Sequence, residues 1–334
     1  MPLELKIAGK TDRGLVRPGN EDCLHVDEQN AVFAVCDGMG GHQAGEVASL
    51  TACETIRQLW DSFRSDLAGD DRLSLGQSLP GTGDLLLKAI RLANRRIFRK
   101  AATESDLAGM GTTIVAMAFE GNVMSVAHVG DSRAYRLEAG GLRSFTRDHS
   151  WVSEMQVNHS LSEQEALAVV GRNVITRALG VRETVEVDCR LVKVNPGEIY
   201  LLCSDGLCGY ADDDEIFAVA DKFRSDLKRM VESLVQLAND RGGADNVSVL
   251  AVQVKRVAGP INGEEVAFTL PPESSEQLQS EDEWLAKLET ARTEPSPRRE
   301  RSLLRRRFGK YWLALIFSAL LLLWIALIYI QSSR

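Results

Sequence analysis

The pattern of this 334-residue chain predicts an α+β fold, a central sandwich of two antiparallel β-sheets flanked by helices. Two observations predict it. Short apolar runs of strand length come in consecutive groups, and helical periodicities come in consecutive pairs between those groups. A third observation agrees: the strict strand–helix–strand alternation of a parallel sheet is missing. Hydrophobic residues make up 44% of the chain, enough for a sizeable core.

In order, strand-like runs are expected at 5–8, 23–26 and 31–36. Helices are expected at about 44–63 and 85–102, with apolar residues at helical spacing. Between them, 65–83 is rich in Gly, Asp and Ser and reads as a loop. A second strand group covers 112–119, 123–129, 134–137 and 142–145, followed by an irregular section at 148–183. Strands at 186–193 and 199–203, helices at 213–221 and 225–239 and a last strand at 246–254 complete one domain over 1–256.

Beyond 256 the composition changes. Five prolines and many Glu and Ser give 257–297 the character of a linker. Within it, Ser280 and Glu283 can form a capping box ahead of Trp284, Leu285 and Leu288, so a short helix at 280–292 is expected either to dock or to form only transiently. Residues 311–330 carry no charge, and at helical rise they span about 30 Å, the thickness of a bilayer core. Tyr311, Trp312 and Tyr329 stand near the ends of this stretch, where amphipathic rings settle. It reads as a transmembrane helix. The basic cluster Arg298, Arg299, Arg301, Arg305, Arg306, Arg307 and Lys310 precedes it, so the large domain is expected on the cytoplasmic side of a cell membrane, joined by an acidic, then basic, juxtamembrane linker over 257–310. Only four residues follow, the arrangement of a tail anchor.

Charge and cysteine content exclude other classes. A formal net charge of -8 opposes the phosphate neutralisation that nucleic-acid binding needs. The six cysteines form no C-x-x-C pair and sit largely in apolar runs, which argues for a reducing compartment and against structural zinc. Residues 1–10 lack an apolar core segment, so no secretory leader is expected there.

The chemistry lies in recurring carboxylates. Arg17-Pro18-Gly19-Asn20-Glu21-Asp22 precedes a strand, and Asp37-Gly38-Met39-Gly40-Gly41-His42 follows one. Gly130-Asp131-Ser132-Arg133 and Ser204-Asp205-Gly206 also follow strands, and Asp245-Asn246 precedes the last. A single Asp-Gly after a strand is ordinarily a turn. Five acidic strand ends at one edge would repel one another unless cations sat among them, and oxygen ligands select hard ions such as Mg²⁺ or Mn²⁺. Two such ions can share a bridging water and aim it in line with a leaving oxygen. Arg17 is placed to grip a phosphoryl group through paired donors. These residues point to metal-assisted hydrolysis of a phosphate ester.

The ordered set R-x-x-N-E-D, D-G-M-G-G-H, G-T-T, G-D-S-R, D-H-S, S-D-G-L and D-N resembles the metal-dependent protein phosphatases of the PPM, or PP2C, type in their bacterial branch, over nearly all of 5–256. The resemblance implies a β-sandwich with a metal cleft at one end and Mn²⁺ or Mg²⁺ as cofactor, two ions and room for a third. It implies that Asp37 bridges the two ions, that the Gly38 carbonyl ligates one, and that Glu21 serves the second through water. By the same resemblance Asp205 and Asp245 complete the first ion's shell, Asp131 with Asp205 holds the third, Asp22 orients the shell, and Arg17 binds the substrate phosphate. Apart from the resemblance, Asn246 could fix Asp245 by a side-chain bond, which the sequence alone does not decide. The substrates implied are proteins carrying phosphoserine or phosphothreonine.

Relatives with D-G-H-G-G place a histidine, proposed as general acid, where this chain has Met39, so water on a metal or another group would have to protonate the leaving oxygen. His42 is a candidate acid, though helix capping or a core hydrogen bond is the plainer role for it. His149 is expected beside the cleft, in either a substrate-side or a structural role, and Thr112 and Thr113 are expected to be structural. A membrane-bound serine/threonine kinase, or its substrates, would be a natural partner through co-anchoring. The rival expectation is a catalytically silent, membrane-tethered regulatory module of the same fold. Such modules lose metal carboxylates, and Glu21, Asp37, Asp205 and Asp245 are all present here.

Overall fold

Runs of β-branched and apolar residues place the strands, and every ladder they form is antiparallel. The computed structural model describes residues 2–41, 43–63, 79–159, 162, 165, 174–257 and 265–293. Strands β1 (Glu4–Asp12), β7 (Arg133–Leu137), β8 (Leu142–Ser144), β10 (Ile199–Cys203) and β11 (Val247–Arg256) form one sheet in the order β1-β11-β10-β7-β8. The other sheet runs β12-β9-β6-β5-β3-β2. It is built from β2 (Asp22–Asp27), β3 (Val32–Met39), β5 (Ile114–Glu120), β6 (Val123–Val129), β9 (Val187–Lys193) and β12 (Val266–Leu270). The two-residue β4 (Gly111–Thr112) pairs with the end of β3.

The helices are α1 (Ala44–Phe63), α2 (Gly81–Thr103), α3 (Trp151–His159), α4 (Asp205–Cys208), α5 (Asp213–Lys222), α6 (Leu227–Asp240) and α7 (Ser275–Thr293). Phe33 and Val35 of β3 meet Tyr200, Leu202, Leu250 and Val252 of the opposite sheet in the core between the sheets. The alternate β3 residues Val32, Ala34 and Cys36 are equally buried on the other face, where α1 packs. Burial on both faces explains why 32–36 is an unbroken apolar run. On the far side of the other sheet, Ile216, Leu227, Met230, Val231 and Leu234 of α5 and α6 cover Leu201, Val249 and Ala251. Helix α5 is started by a capping box between Asp212 and Glu215. All six cysteines are free thiols.

Residues 1–285 form one compact unit, and 286–334 form a second, of which only 286–293 are described. Three expectations change. Helix α2 begins at Gly81 and takes in part of the expected loop, while α3 forms inside the section read as irregular. The largest change is at 265–293, expected as linker: it contains β12, paired along the edge of β9, and α7. The capping box lies at Ser274 and Gln277, where each side chain bonds the other's backbone N–H, and the helix starts before Ser280. Periodicity did not reveal this segment because its buried apolar anchors, such as Leu270 and Leu285, are few and the remaining contacts are charged. Arg91 of α2 donates to the Pro271 carbonyl and pairs with Glu273 at 3.3 Å, while Arg95 grips both oxygens of Asp282 at 2.9 and 3.0 Å.

Among the described residues no helix is long and apolar enough to cross a membrane. The 311–330 stretch and its basic flank, on which the membrane expectation rests, lie outside the described residues.

Candidate metal centre

The carboxylates approach one another because the strands that carry them end on the same side. In the β2–β3 ladder Asp22 stands opposite Asp37, the last acidic residue before β3 runs out at Met39. Strand β10 stops at Cys203, Ser204 turns the chain, and Asp205 opens α4. Asp245 and Asn246 lead into β11, the neighbour of β10, and Gly130 and Asp131 leave β6.

Electrostatics shows how close the convergence is. Burial and the charges of Asp22, Asp205 and Asp131 push the Asp37 carboxyl well above the usual carboxylate range. Burial raises Asp22 and Asp131 to about 7 each, with Asp205 repelling both. Asp205 is raised by burial, with Asp245 adding to it, and Glu21 by burial against the opposing pull of Arg17. Oδ1 atoms of Asp22, Asp131 and Asp205 are buried without a hydrogen-bond donor. Such a set suits hard divalent cations: the donors are all oxygen, and the excess negative charge wants a counter-ion. Arg17, with half its side chain exposed, reaches in from the rim to Asp245 at 2.9 Å.

The supporting contacts are specific. Thr113 Oγ1 accepts the Asp37 N–H at 3.2 Å, and Thr112 Oγ1 donates to the Asp37 carbonyl at 2.8 Å, which assigns both threonines a structural role. Ser204 Oγ donates to Asp22 at 2.9 Å. Asn246 acts differently from expectation. Its side chain clamps the 13–21 loop, accepting from the Glu21 N–H at 2.8 Å and donating to the Arg13 and Gly19 carbonyls. Its backbone N–H bonds Asp245 at 2.8 Å.

Gly38 sits where a Cβ would lie 2.2 Å from the Gly45 carbonyl and 2.5 Å from the Glu21 carbonyl, so the backbone itself lines the site. Gly45, at the start of α1, is its counterpart: a Cβ there would lie 2.4 Å from Glu21 Oε2. Gly45 was not singled out in the sequence, because a glycine beside a motif carries no signal of its own, and Ser204, though part of the S-D-G-L motif, was given no role. Met39 brings no titratable group, and His42 lies outside the described residues.

Among the described residues, the one set of three potential ligands with all donor atoms within 4.8 Å is His128, His149 and Asp188. It is not built for a cation. His149 Nδ1 accepts the Gly130 N–H at 3.0 Å, so Nε2 carries the proton and donates it to Asp188 at 3.1 Å. The Arg177 guanidinium stands 3.1 Å from that nitrogen and 3.2 Å from Asp188. His149 is thus structural, its own backbone N–H returning to the Gly130 carbonyl at 3.0 Å. The acidic cluster is wider than this trio, a spread that ions about 3.5–4 Å apart would span.

Known proteins with this arrangement share one chemistry. The family model described as protein phosphatase 2C matches residues 17–247. The serine/threonine phosphatase stp of Listeria welshimeri is 36% identical over 247 residues, 73% of this chain and 94% of that protein. The serine/threonine protein phosphatase PstP of Mycobacterium tuberculosis is 36% identical over 281 residues, 80% of this chain but half of that longer protein. A crystal structure of M. tuberculosis PstP superposes with a TM-score of 0.65 at 35% identity, covering 75% of this chain and 99% of that one. The PstP catalytic domain solved in complex with two manganese ions superposes with a TM-score of 0.63 at 35% identity, over 76% of this chain and all of that one. With the motifs, the sandwich and the converged carboxylates all in agreement, this chain belongs to the protein phosphatase 2C family of metal-dependent serine/threonine protein phosphatases.

Proposed function

We propose that the chain hydrolyses phosphoserine and phosphothreonine in proteins at the Asp37 centre while tethered to the cytoplasmic face of a membrane. Asp37, the Gly38 carbonyl, Glu21, Asp205 and Asp245 would hold two divalent ions, Mn²⁺ or Mg²⁺, and Asp131 with Asp205 a third. When bound, such ions acidify water and neutralise phosphate oxygens. The protein's own groups do the rest. Arg17, half exposed and bonded to Asp245 through one nitrogen, has the freedom to turn its fork onto a phosphoryl group. Asn246 holds the Glu21 backbone and the loop that carries Arg17. Ser204 orients Asp22 behind the ligands.

The observation that carries this reading is the convergence of Asp37, Asp205, Asp131 and Asp22, each raised by burial and by neighbouring carboxylates, a repulsion that Arg17 and Arg133 offset only in part. Asp37→Asn, Asp205→Asn or Asp245→Asn should abolish hydrolysis of p-nitrophenyl phosphate. EDTA should remove wild-type activity, and excess Mn²⁺ should restore it. Full activity in any of the three variants would refute the ligand assignment.

Tethering rests on the uncharged 311–330 stretch and the arginines before it. Deleting 308–334 should move the protein to the soluble fraction with small-substrate turnover intact. Retention in the membrane fraction would remove the anchor. A membrane-bound serine/threonine kinase, or its substrates, is the partner class that co-anchoring favours.

A further inference from the structure

Beside the metal centre lies a cleft of about 590 Å³ whose walls include Trp151, Arg177, Val181, Arg182, Val185 and Pro272. It borders the Asp37 strand directly. Leu179 exchanges two backbone bonds with Thr112, at 3.1 and 2.8 Å, and Thr112 pairs with Gly38. Any side chain at Gly111 would meet both Met39 Cε and Val181 Cγ2, so the cleft opens next to Met39. Trp151 and Val181 are 43% and 53% exposed at its rim.

One wall of the cleft, residues 182–186, is held from behind. Asn94 of α2 donates to the carbonyls of Arg182 and Glu183 at 3.2 and 3.1 Å. Arg95 binds Glu183 and Asp282 together. Glu273 Oε2 accepts the buried Val185 N–H at 2.8 Å, and Pro272 joins the lining itself. From Val187 the same segment continues as β9, whose edge is covered by β12. The strap at 266–285 lies beyond the 17–247 segment that matches the family model, yet it supports a wall of the cleft that opens next to Met39.

We propose that this strap is a positioning element for protein substrates, with Glu273 its principal positioning residue and the polypeptide flanking the phosphorylated side chain as the occupant of the cleft. The proposal rests on the phosphatase reading above. A p-nitrophenyl ester needs only the metal centre; a phosphopeptide also needs the 182–186 wall in place. The test compares p-nitrophenyl phosphate with a synthetic phosphothreonine peptide, using the full chain in detergent.

Glu273→Ala removes the acceptor of the Val185 N–H and should raise KM for the peptide about five-fold or more, the factor that about 1 kcal/mol of lost positioning corresponds to. Constants for p-nitrophenyl phosphate should stay within about two-fold of wild type. Glu273→Gln keeps an acceptor oxygen, so peptide KM should return toward wild type even though the charge opposite Arg91 is gone. Thermal stability follows the charge; peptide KM follows the acceptor. Should Glu273→Ala fail to fold, Arg95→Ala, which frees Glu183, carries the same expectation. An unchanged peptide KM in the folded variants, or a Gln variant as impaired as the Ala variant, overturns the proposal. A wild-type protein inert toward p-nitrophenyl phosphate would instead overturn the phosphatase reading.

Discussion

Arg91 is the point at which the strap can be tested as a source of stability. Its side chain is 1% exposed, and the charges that face it are Glu273, 1% exposed in its side chain, and Glu281 of α7. Burial lowers the Arg91 pKa, and the two carboxylates oppose that shift. Glu273→Ala leaves a buried guanidinium without its principal partner, a change that costs about 3–5 kcal/mol when nothing compensates. Glu281 compensates in part, since the unpaired Arg91 would draw its proton off, so about 3 kcal/mol is expected. For a domain of this size each kcal/mol shifts the melting temperature by about 2–4 °C, which places the expected fall at about 6–12 °C. Differential scanning calorimetry on the Mn²⁺-loaded protein reads it. The double variant Arg91→Met/Glu273→Leu removes both charges and should recover most of the loss, because well-packed apolar replacements of a buried pair are often neutral. A fall below about 2 °C in the single variant would mean that Arg91 finds water or another partner, and the strap would then contribute little to the fold.

Other outcomes follow from the same contacts. Glu281 has a pKa raised to about 7 by burial and by the charge of Glu273, with Arg91 and Arg95 of α2 opposing and Asp282 adding to the rise. Its folded value lies above its ordinary 4.5, so the stabilisation is complete below that pH and is lost as pH rises through 7, by about 3 kcal/mol in all. The melting temperature of the wild type should therefore fall between pH 4.5 and 7 and level off above, and Glu281→Gln should flatten that profile; equal slopes would refute the assignment. Gly45→Ala should cost about 1–3 kcal/mol and weaken activation by Mn²⁺, because the new Cβ displaces the Glu21 carboxylate; an unchanged Mn²⁺ titration of activity would contradict this. Mn²⁺ at about a hundred times its dissociation constant should stabilise the wild type by about 2.7 kcal/mol, read as a rise in melting temperature that Asp37→Asn loses.

The sandwich was legible because its strands are buried on both faces. Val32–Cys36, Ile199–Cys203 and Val249–Val252 leave unbroken apolar runs that few other arrangements accommodate. The centre was legible for a different reason: a carboxylate at the end of such a run has only a few places to go, and the acids at 22, 37, 131, 205 and 245 share them. What escaped has no one-dimensional trace. Asn246 was expected to hold Asp245 and instead spans more than two hundred residues to clamp Arg13, Gly19 and Glu21. Gly45 matters through the space it leaves for Glu21 Oε2.

The strap shows how composition can mislead about where a domain ends. Prolines and acids at 257–297 satisfy every compositional criterion for a linker, yet Glu273, Glu281 and Asp282 are among those acids and face arginines on α2. A polar segment docks when its partner surface supplies opposite charge in fixed positions, and Arg91, Arg95 and Arg99 lie four residues apart, on one face of that helix. Read without its partner, such a segment shows only a short apolar stripe, Trp284, Leu285 and Leu288; read with it, the spacing of the arginines is the missing pattern. A catalytic fragment cut at 256 would bare the β9 edge and strand Arg91, so a fragment meant to keep the native cleft has to extend through α7.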